Sequence, residues 1–117
     1  MIKVSSPDLK NNKLSDLKKT INSGWIVEGL KTKDLENKLK KKFQKKYCIF
    51  FNSWTTAAFT LFKVLNLGRN SEVILPSFSF IATANAPYLA GYKLKFVDID
   101  PNTMNISVKG IKKTISK

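Results

Sequence analysis

The sequence predicts a three-layer α/β fold, with helices on both faces of a parallel sheet. From residue 47 onward, short continuous apolar runs alternate with helix-length segments, which is the order that builds such a fold. Runs of this kind suit strands that are buried on both faces. The chain has 117 residues, of which 43% are hydrophobic, so a buried core within one domain is possible.

A first helix is predicted ahead of this alternation, over residues 7–22, where leucine and isoleucine recur at helical spacing with lysines between them. Gly24 ends the pattern, as glycine commonly does just after a helix. Residues 23–29 then form an apolar loop around Trp25. Such a loop needs either a core or a partner to cover it.

A second helix is predicted over residues 32–44, with Thr32 or Asp34 as its N-cap. Its apolar stripe consists of Leu35, Leu39 and Phe43. Eight lysines lie between residues 31 and 46, and they allow two interpretations. They could form a face that binds a polyanion, or they could be a solvated helix face with pairs such as Glu36 and Lys40. We favour the solvated face, because interleaved aromatic residues and arginines are missing.

The α/β part of the chain follows. Strands are predicted at residues 47–51, 72–75 and 93–98, and helices at residues 55–67, 81–90 and 107–117. The first of these strands is the apolar run that contains Cys48. We therefore divide the chain into N-terminal helices with their loop, residues 1–46, and the first strands and helices of an α/β domain, residues 47–117. Together they are expected to form one structural unit.

The composition excludes several classes of site. The chain contains no histidine, which removes histidine-based triads and histidine metal ligands, and its single cysteine excludes a disulfide framework or a multi-cysteine zinc site. Cys48 lies in an apolar run without a neighbouring charge that would activate it, so we interpret it as an inert core residue. No signal peptide or membrane span is visible, so a soluble, cytoplasmic protein is expected.

The net charge is +13, from 21 lysines and arginines against 8 acidic residues. All of the basic residues except Arg69 are lysines. Proteins that read nucleic-acid bases usually use arginine for its planar, bidentate geometry. A nucleic-acid partner is therefore not favoured by the charge alone.

The turn at residues 52–56 is the first candidate site, because it follows a predicted strand and opens a helix. Ligands of α/β sheets gather at the carboxyl ends of the strands. The free N–H groups of a helix N-terminus suit an anion, above all a phosphate. The alternative is that Ser53 or Thr55 only caps its own helix.

The segment after the second predicted strand, residues 76–80, is the next candidate. An aromatic residue here could lie against a planar ligand held by the first turn, although Phe78 and Phe80 could equally be core residues. Asp98 and Asp100 stand at the end of the third predicted strand. A role in a turn is favoured over a metal site there, because two carboxylates without further ligands are too few.

Several of these segments together resemble the start of the DegT/DnrJ/StrS-type sugar aminotransferases, which are pyridoxal-phosphate enzymes of the aspartate-aminotransferase fold. The matching motifs are Ser23-Gly24-Trp25-Ile26 with Gly29, Asn52-Ser53-x-Thr55, Glu72-Val73-Ile74-x-Pro76-Ser77-Phe78-Ser79-Phe80, and Phe96-Val97-Asp98-Ile99-Asp100-Pro101. The resemblance covers nearly all of the chain and only the N-terminal part of the family. It implies an incomplete α/β/α large domain of the fold-type-I kind, preceded by helices.

The resemblance also implies which residues meet the cofactor, pyridoxal 5′-phosphate. The family's phosphate-binding turn falls on Trp54, Thr55 and Thr56, and the aromatic ring that stacks on the pyridine falls on Phe80. Trp54 stands where the family carries a small residue that lets the phosphate approach the backbone. Homodimers with shared sites, a nucleotide-linked keto-sugar and an amino-acid donor such as glutamate are implied as partners.

No catalytic residue is assigned to this sequence. In the family, the lysine that holds the cofactor covalently and the aspartate that pairs with its ring nitrogen lie beyond the stretch that this sequence matches. Two alternatives to a part of an enzyme therefore stay open. One is a basic binding module without catalytic activity, and the other is a truncated reading frame with no function of its own.

Overall fold

The computed structural model describes residues 14–68 and 70–115. The chain divides into two compact units, an N-terminal unit of residues 1–49 and a C-terminal unit of residues 50–117. The sequence prediction of a single unit with an internal boundary after residue 46 stays a prediction. None of the helices formed by the described residues is long and apolar enough to cross a bilayer.

The N-terminal unit contains two helices, α1 (Leu14–Asn22) and α2 (Leu30–Phe43). The part of the first predicted helix before residue 14 lies outside the described residues. Gly24 ends α1 as predicted, since it adopts a φ of +71° and its N–H donates to the carbonyl oxygen of Ile21 at 3.0 Å. Helix α1 therefore closes in the left-handed conformation that glycine tolerates best.

Helix α2 begins earlier than the sequence predicted. Its N-cap is Gly29, whose carbonyl oxygen accepts from the N–H of Lys33 at 3.1 Å. The prediction that Thr32 or Asp34 caps the helix is therefore wrong, because both residues lie inside it. Gln44, in the left-handed conformation with a φ of 52°, ends the helix.

The C-terminal unit follows the order helix, strand, helix, strand, helix. Its elements are α3 (Trp54–Leu65), β1 (Glu72–Pro76), α4 (Ala82–Ala90), β2 (Lys93–Val97) and α5 (Val108–Thr114). The two strands pair in parallel, with Val73 opposite Leu94 and Leu75 opposite Phe96. Helix α4 connects them and packs on both, while α3 packs on α4 and α5 packs on β2. This arrangement confirms the predicted α/β class.

The core of the C-terminal unit is small. The buried apolar side chains of the described residues are Ala58, Leu75, Ala82, Ala86, Pro87, Tyr92 and Val97. Most of them belong to α4 and the two strands, so the core lies where the helices of this unit pack on one another and on the sheet. Many more large apolar side chains of the described residues are exposed than buried. Apolar surface of this extent is available for further protein contacts.

The predicted strand at residues 47–51 is not found. These residues form no strand, and Tyr47 and Ile49 are both 73% exposed. The run has the composition of a buried strand, but a strand also needs a hydrogen-bonded neighbour. The sheet formed by the described residues contains only β1 and β2, and neither pairs with this run. Cys48 is half-buried, so the prediction that it is a core residue is only partly met.

Tyr92, directly before β2, is hydrogen-bonded to the end of α3. Its hydroxyl donates to the carbonyl oxygen of Phe62 at 2.8 Å and accepts from the N–H of Leu67 at 3.0 Å. Its ring lies 5.5 Å from that of Phe62, tilted by 55°. The hydroxyl of this one buried side chain thereby provides a hydrogen-bond partner for two backbone groups at the end of α3, where the hydrogen bonds within the helix have stopped.

Replacing Tyr92 with phenylalanine is expected to lower the free energy of unfolding by about 1–2 kcal/mol, because two partly buried backbone groups lose their partner. Tyr88→Phe is the matched control, since Tyr88 is 66% exposed and the same hydroxyl is removed. Urea denaturation followed by circular dichroism measures both. Equal free energies of unfolding of the two variants would show that the hydroxyl of Tyr92 does not stabilise the end of α3.

Candidate functional site at the start of α3

Ser53 builds the first turn of α3. It has extended backbone angles, with φ −154° and ψ 156°, and its Oγ accepts from the N–H of Thr56 at 3.2 Å. The same oxygen lies 2.9 Å from Oγ1 of Thr56. Ser53 is therefore the N-cap, which confirms the capping role that the sequence offered as one alternative. Capping by Ser53 leaves the two preceding N–H groups of the turn for another acceptor.

Those two N–H groups belong to Trp54 and Thr55. Within residues 14–68 and 70–115, neither has a hydrogen-bond acceptor, whereas the N–H of Ala57 donates to the carbonyl oxygen of Ser53 at 3.2 Å. Trp54, Thr55 and Thr56 are all exposed. The turn thus presents two free N–H donors and two threonine hydroxyls to solvent at the positive end of a twelve-residue helix. Donors of this kind fit a phosphate group.

Trp54 is 60% exposed. It is the first residue of α3, and the N-terminal end of the helix carries no acidic residue in its first turn. A carboxylate there would compete with an anionic ligand for the same donors. The electrostatic surroundings of the turn therefore favour an anion as well.

The segment after β1 lies at the same end of the C-terminal unit as this turn. Helix α4 runs from the carboxyl end of β1 back to the start of β2, so its N-terminus lies at the carboxyl ends of the parallel strands. Helix α3 packs beside α4, and Tyr92 joins their C-terminal ends. The N-termini of the two helices therefore face the same edge, which is where ligands of α/β sheets bind.

Phe80 lies in this segment, two residues before the start of α4, and is 78% exposed. Its carbonyl oxygen accepts from the N–H of Thr83 at 2.9 Å, which fixes its backbone at the start of the helix. Phe78 is 66% exposed. The alternative that the two phenylalanines are core residues is therefore wrong for this structure, and the ring of Phe80 is accessible to a ligand.

Asp98 and Asp100 form a turn. Asp100 Oδ1 accepts from the N–H groups of Asn102 at 2.8 Å and Thr103 at 3.3 Å, and Asp98 Oδ1 accepts from the N–H of Ile99 at 2.8 Å. Among the described residues, no group of three or more cysteine or acidic side chains is placed to hold a metal ion. Both carboxylates accept hydrogen bonds from backbone N–H groups, which is the turn role that the sequence favoured.

The N-terminal unit has one further feature that the sequence does not predict. Residues of the loop and of the first turn of α2 line a cleft in the N-terminal unit, and Lys31 and Lys33 lie beside it. The sequence marked the loop as apolar but gave no sign that these two lysines would flank it, because their position depends on where α2 begins.

Comparison with known proteins shows which family has this architecture. Residues 7–117 match the model of the DegT/DnrJ/EryC1/StrS aminotransferase family. The chain is 33% identical to dTDP-4-dehydro-2,3,6-trideoxy-D-glucose 4-aminotransferase of Saccharopolyspora spinosa over 99% of its own length and 31% of that enzyme. It is also 33% identical to UDP-2-acetamido-2-deoxy-3-oxo-D-glucuronate aminotransferase of Pseudomonas aeruginosa, over 85% of the chain and 30% of that enzyme.

Comparison with solved structures leads to the same family. The putative sugar aminotransferase Spr1654 from Streptococcus pneumoniae, in its PLP form, superimposes with a TM-score of 0.81 at 30% identity, over 98% of this chain and 29% of that one. Helicobacter pylori PseC, an aminotransferase involved in the biosynthesis of pseudoaminic acid, gives a TM-score of 0.80 at 30% identity, over 96% of this chain and 30% of that one. The fold is that of fold-type-I aminotransferases, as predicted. The chain spans about 30% of the length of these relatives.

Proposed function

Because this chain belongs to the DegT/DnrJ/EryC1/StrS aminotransferase family, we propose that it is the N-terminal part of a pyridoxal-phosphate-dependent aminotransferase acting on nucleotide-linked keto-sugars. The observation that carries the proposal is the first turn of α3, where two N–H groups without an acceptor among the described residues stand beside two exposed threonines. The names of the relatives, which act on dTDP- and UDP-linked sugars, support the substrate class.

The residues present fit the phosphate end of the cofactor. The N–H groups of Trp54 and Thr55 and the hydroxyls of Thr55 and Thr56 would hold the phosphate, and the exposed ring of Phe80 would lie against the pyridine. The cofactor, when bound, carries the amino group between the amino-acid donor and the keto-sugar. This chain's part is to bind and orient it, because charge-assisted hydrogen bonds from fixed donors set the position of a phosphate. No catalytic residue is assigned here.

The partners proposed are those of the family: a second subunit in a homodimer, a nucleotide-linked keto-sugar and an amino-acid donor. A cytoplasmic location is proposed with them. The exposed apolar side chains of the C-terminal unit are consistent with contacts to further protein, which a homodimer would supply.

A phosphate-specific titration tests the cofactor site. We expect pyridoxamine 5′-phosphate to bind the chain at least roughly tenfold more tightly than pyridoxamine, because the turn of α3 recognises the phosphate. These amines are the right probes, since they have no aldehyde that would react with the many lysines. Isothermal titration calorimetry gives both affinities, and the ³¹P chemical shift reports the phosphate directly.

The threonine variants locate the site. Thr55→Val is expected to weaken pyridoxamine 5′-phosphate binding by roughly tenfold, through the loss of one hydrogen bond to a charged group. Thr60→Val, in the same helix but beyond its first turn, is the control and should leave the affinity unchanged. Equal weakening by both variants, or equal binding of the two amines, would contradict a phosphate site at the start of α3.

A further inference from the structure

The second half of α2 and the three residues after it, residues 38–46, form a lysine segment. Six of these nine residues are lysines and none is acidic. The lysines are Lys38, Lys40, Lys41, Lys42, Lys45 and Lys46. All except the half-buried Lys40 are exposed. The negative end of the helix dipole, equivalent to about half a charge, offsets little of this positive charge.

Few of these ammonium groups are paired within the protein. Lys38 Nζ lies 2.7 Å from Oδ2 of Asp34, but both side chains are exposed, and such pairs contribute little. The other five lysines have no ion-pair partner within residues 14–68 and 70–115. The positive charge of the lysine segment is therefore available to an anionic partner.

Two exposed aromatic rings accompany the lysines. Phe43 is 60% and Tyr47 is 73% exposed. The Nζ atom of Lys42 lies 5.9 Å from the centre of the Phe43 ring, and that of Lys46 lies 5.2 Å from the centre of the Tyr47 ring. Aromatic surface and positive charge thus stand side by side at the end of α2.

The apolar stripe of α2 is accessible as well. Leu35, Leu39 and Phe43 are four residues apart, so they share one face of the helix. No side chain of α2 is buried, and Leu35 is 45% exposed. Lys38 and Lys42 each follow a leucine of the stripe by three residues, so they lie beside it. Helix α2 is therefore a basic amphipathic helix, a type that binds membrane surfaces or grooves in other proteins.

We propose that α2 and the lysine segment bind the surface of an anionic lipid bilayer, with the lysines at the headgroups and the ring of Phe43 inserted at the boundary with the acyl chains. The helix lies on the bilayer and does not span it. Clusters of four to eight lysines on an amphipathic helix are typical of such contacts.

The residue types favour lipid over the other polyanions. A lipid phosphate requires positive charge but no bidentate geometry, so lysine alone is sufficient, whereas the reading of nucleic-acid bases favours arginine. A groove in a partner protein encloses an amphipathic helix through a series of apolar anchors. The stripe of α2 offers three, and Leu35 is partly covered already. A shallow contact with a flat, anionic surface fits this helix better.

Vesicle sedimentation tests the contact with the whole chain. We expect binding to vesicles of equal parts phosphatidylcholine and phosphatidylglycerol, and none to phosphatidylcholine alone. Binding should weaken as salt rises, because the charges are exposed. Polyglutamate and polyuridylate are the soluble competitors. Failure to bind the anionic vesicles at low salt would overturn the proposal. So would competition by either polymer at an equal concentration of charges, which would indicate an acidic protein or a nucleic acid as the partner.

Two triple variants test whether the location of the charge matters. The test variant carries Lys38→Gln, Lys41→Gln and Lys42→Gln. The control carries Lys109→Gln, Lys112→Gln and Lys113→Gln, which are exposed positions with the same spacing in α5. The test variant should bind the anionic vesicles roughly ten- to a hundredfold more weakly, since each lysine near the surface contributes a factor of about five. The control should change little. Equal weakening by both would refute the site, because net charge alone would explain it.

Phe43→Ser tests the insertion of the ring. It should weaken binding to the anionic vesicles by roughly three- to tenfold, through the loss of apolar surface from the bilayer. Phe78→Ser is the matched control, since Phe78 is 66% exposed in the other unit. Circular dichroism checks that both variants keep their helices. Equal affinities of the two variants would refute insertion of Phe43 into the bilayer.

Discussion

Leu75→Ala is expected to lower the free energy of unfolding of the C-terminal unit by about 2–5 kcal/mol. Leu75 is only 3% exposed and lies near the end of β1, opposite Phe96 of β2. Truncating it removes buried apolar surface and leaves a cavity between the sheet and the helix that packs on both strands. In a unit with so few buried side chains, the neighbours have little other packing to compensate the loss.

Leu89→Ala is the matched control, because it deletes the same atoms from a side chain that is 64% exposed in α4. Its expected effect is within about 0.5 kcal/mol of zero. Thermal unfolding followed by circular dichroism in dilute solution measures both variants. Hydrogen exchange of the β1 and β2 amides adds a local readout. If Leu75→Ala were no more destabilising than Leu89→Ala, the packing between the sheet and α4 would not be the core of this unit.

The helices of the C-terminal unit were predictable because their signals are local. Helix α3 is found within one residue of its predicted start, where Ser53 caps it. The sequence predicts an end at residue 67, just before Gly68, which is two residues beyond the end that the structure shows. Asn66 ends it instead, with a φ of 42°, in a left-handed conformation that asparagine tolerates better than most residues. Asparagine and glycine can both end a helix in this conformation, and only the surrounding structure decides which of the two does so.

The strand prediction at residues 47–51 failed for a different reason. Apolar composition indicates that a segment is suited to a sheet, but the hydrogen bonds of a strand come from a neighbouring strand that is often far away in sequence. Residues 72–76 and 93–97 have that neighbour in each other. Residues 47–51 belong to no strand of the described parts of the chain, whose sheet consists of β1 and β2.

The turn at the start of α3, which we propose as the phosphate site, could be predicted from sequence because a capping serine and a helix start follow one another directly. The cleft of the N-terminal unit could not be inferred in that way. Its ring position depends on the close approach of Trp25 to Gly29, and its charged rim depends on α2 beginning at Leu30. The spacing of the residues does not encode either contact.

The contacts of helix α5 could not be predicted from the spacing of its residues either. The spacing of Val108, Ile111 and Ile115 is typical of one apolar helix face, yet Val108 is 66% and Ile115 is 58% exposed. Gly110 of α5 lies against the sheet, where an added Cβ atom would overlap Cγ1 of Val97. Val97 is 4% exposed at the end of β2, so it has no room to move away.

Gly110→Val is therefore expected to destabilise the C-terminal unit by about 3 kcal/mol, at the upper end for an overpacked contact. Valine has a higher helix propensity than glycine, but this gain is smaller than the cost of the overlap. Lys109→Ala, on an exposed position of α5, controls for changes in the helix itself and should have little effect. Urea denaturation measures both variants.

A double-mutant cycle shows whether the overlap is the cause. Val97→Ala removes the Cγ1 atom that the new side chain would meet, so Gly110→Val should cost much less in that background than in the natural one. The coupling energy between the two positions is expected to be about 1–3 kcal/mol. Strictly additive effects would mean that the cost of Gly110→Val does not come from an overlap with Cγ1 of Val97. The small size of Gly110 would then not be a requirement of its contact with β2.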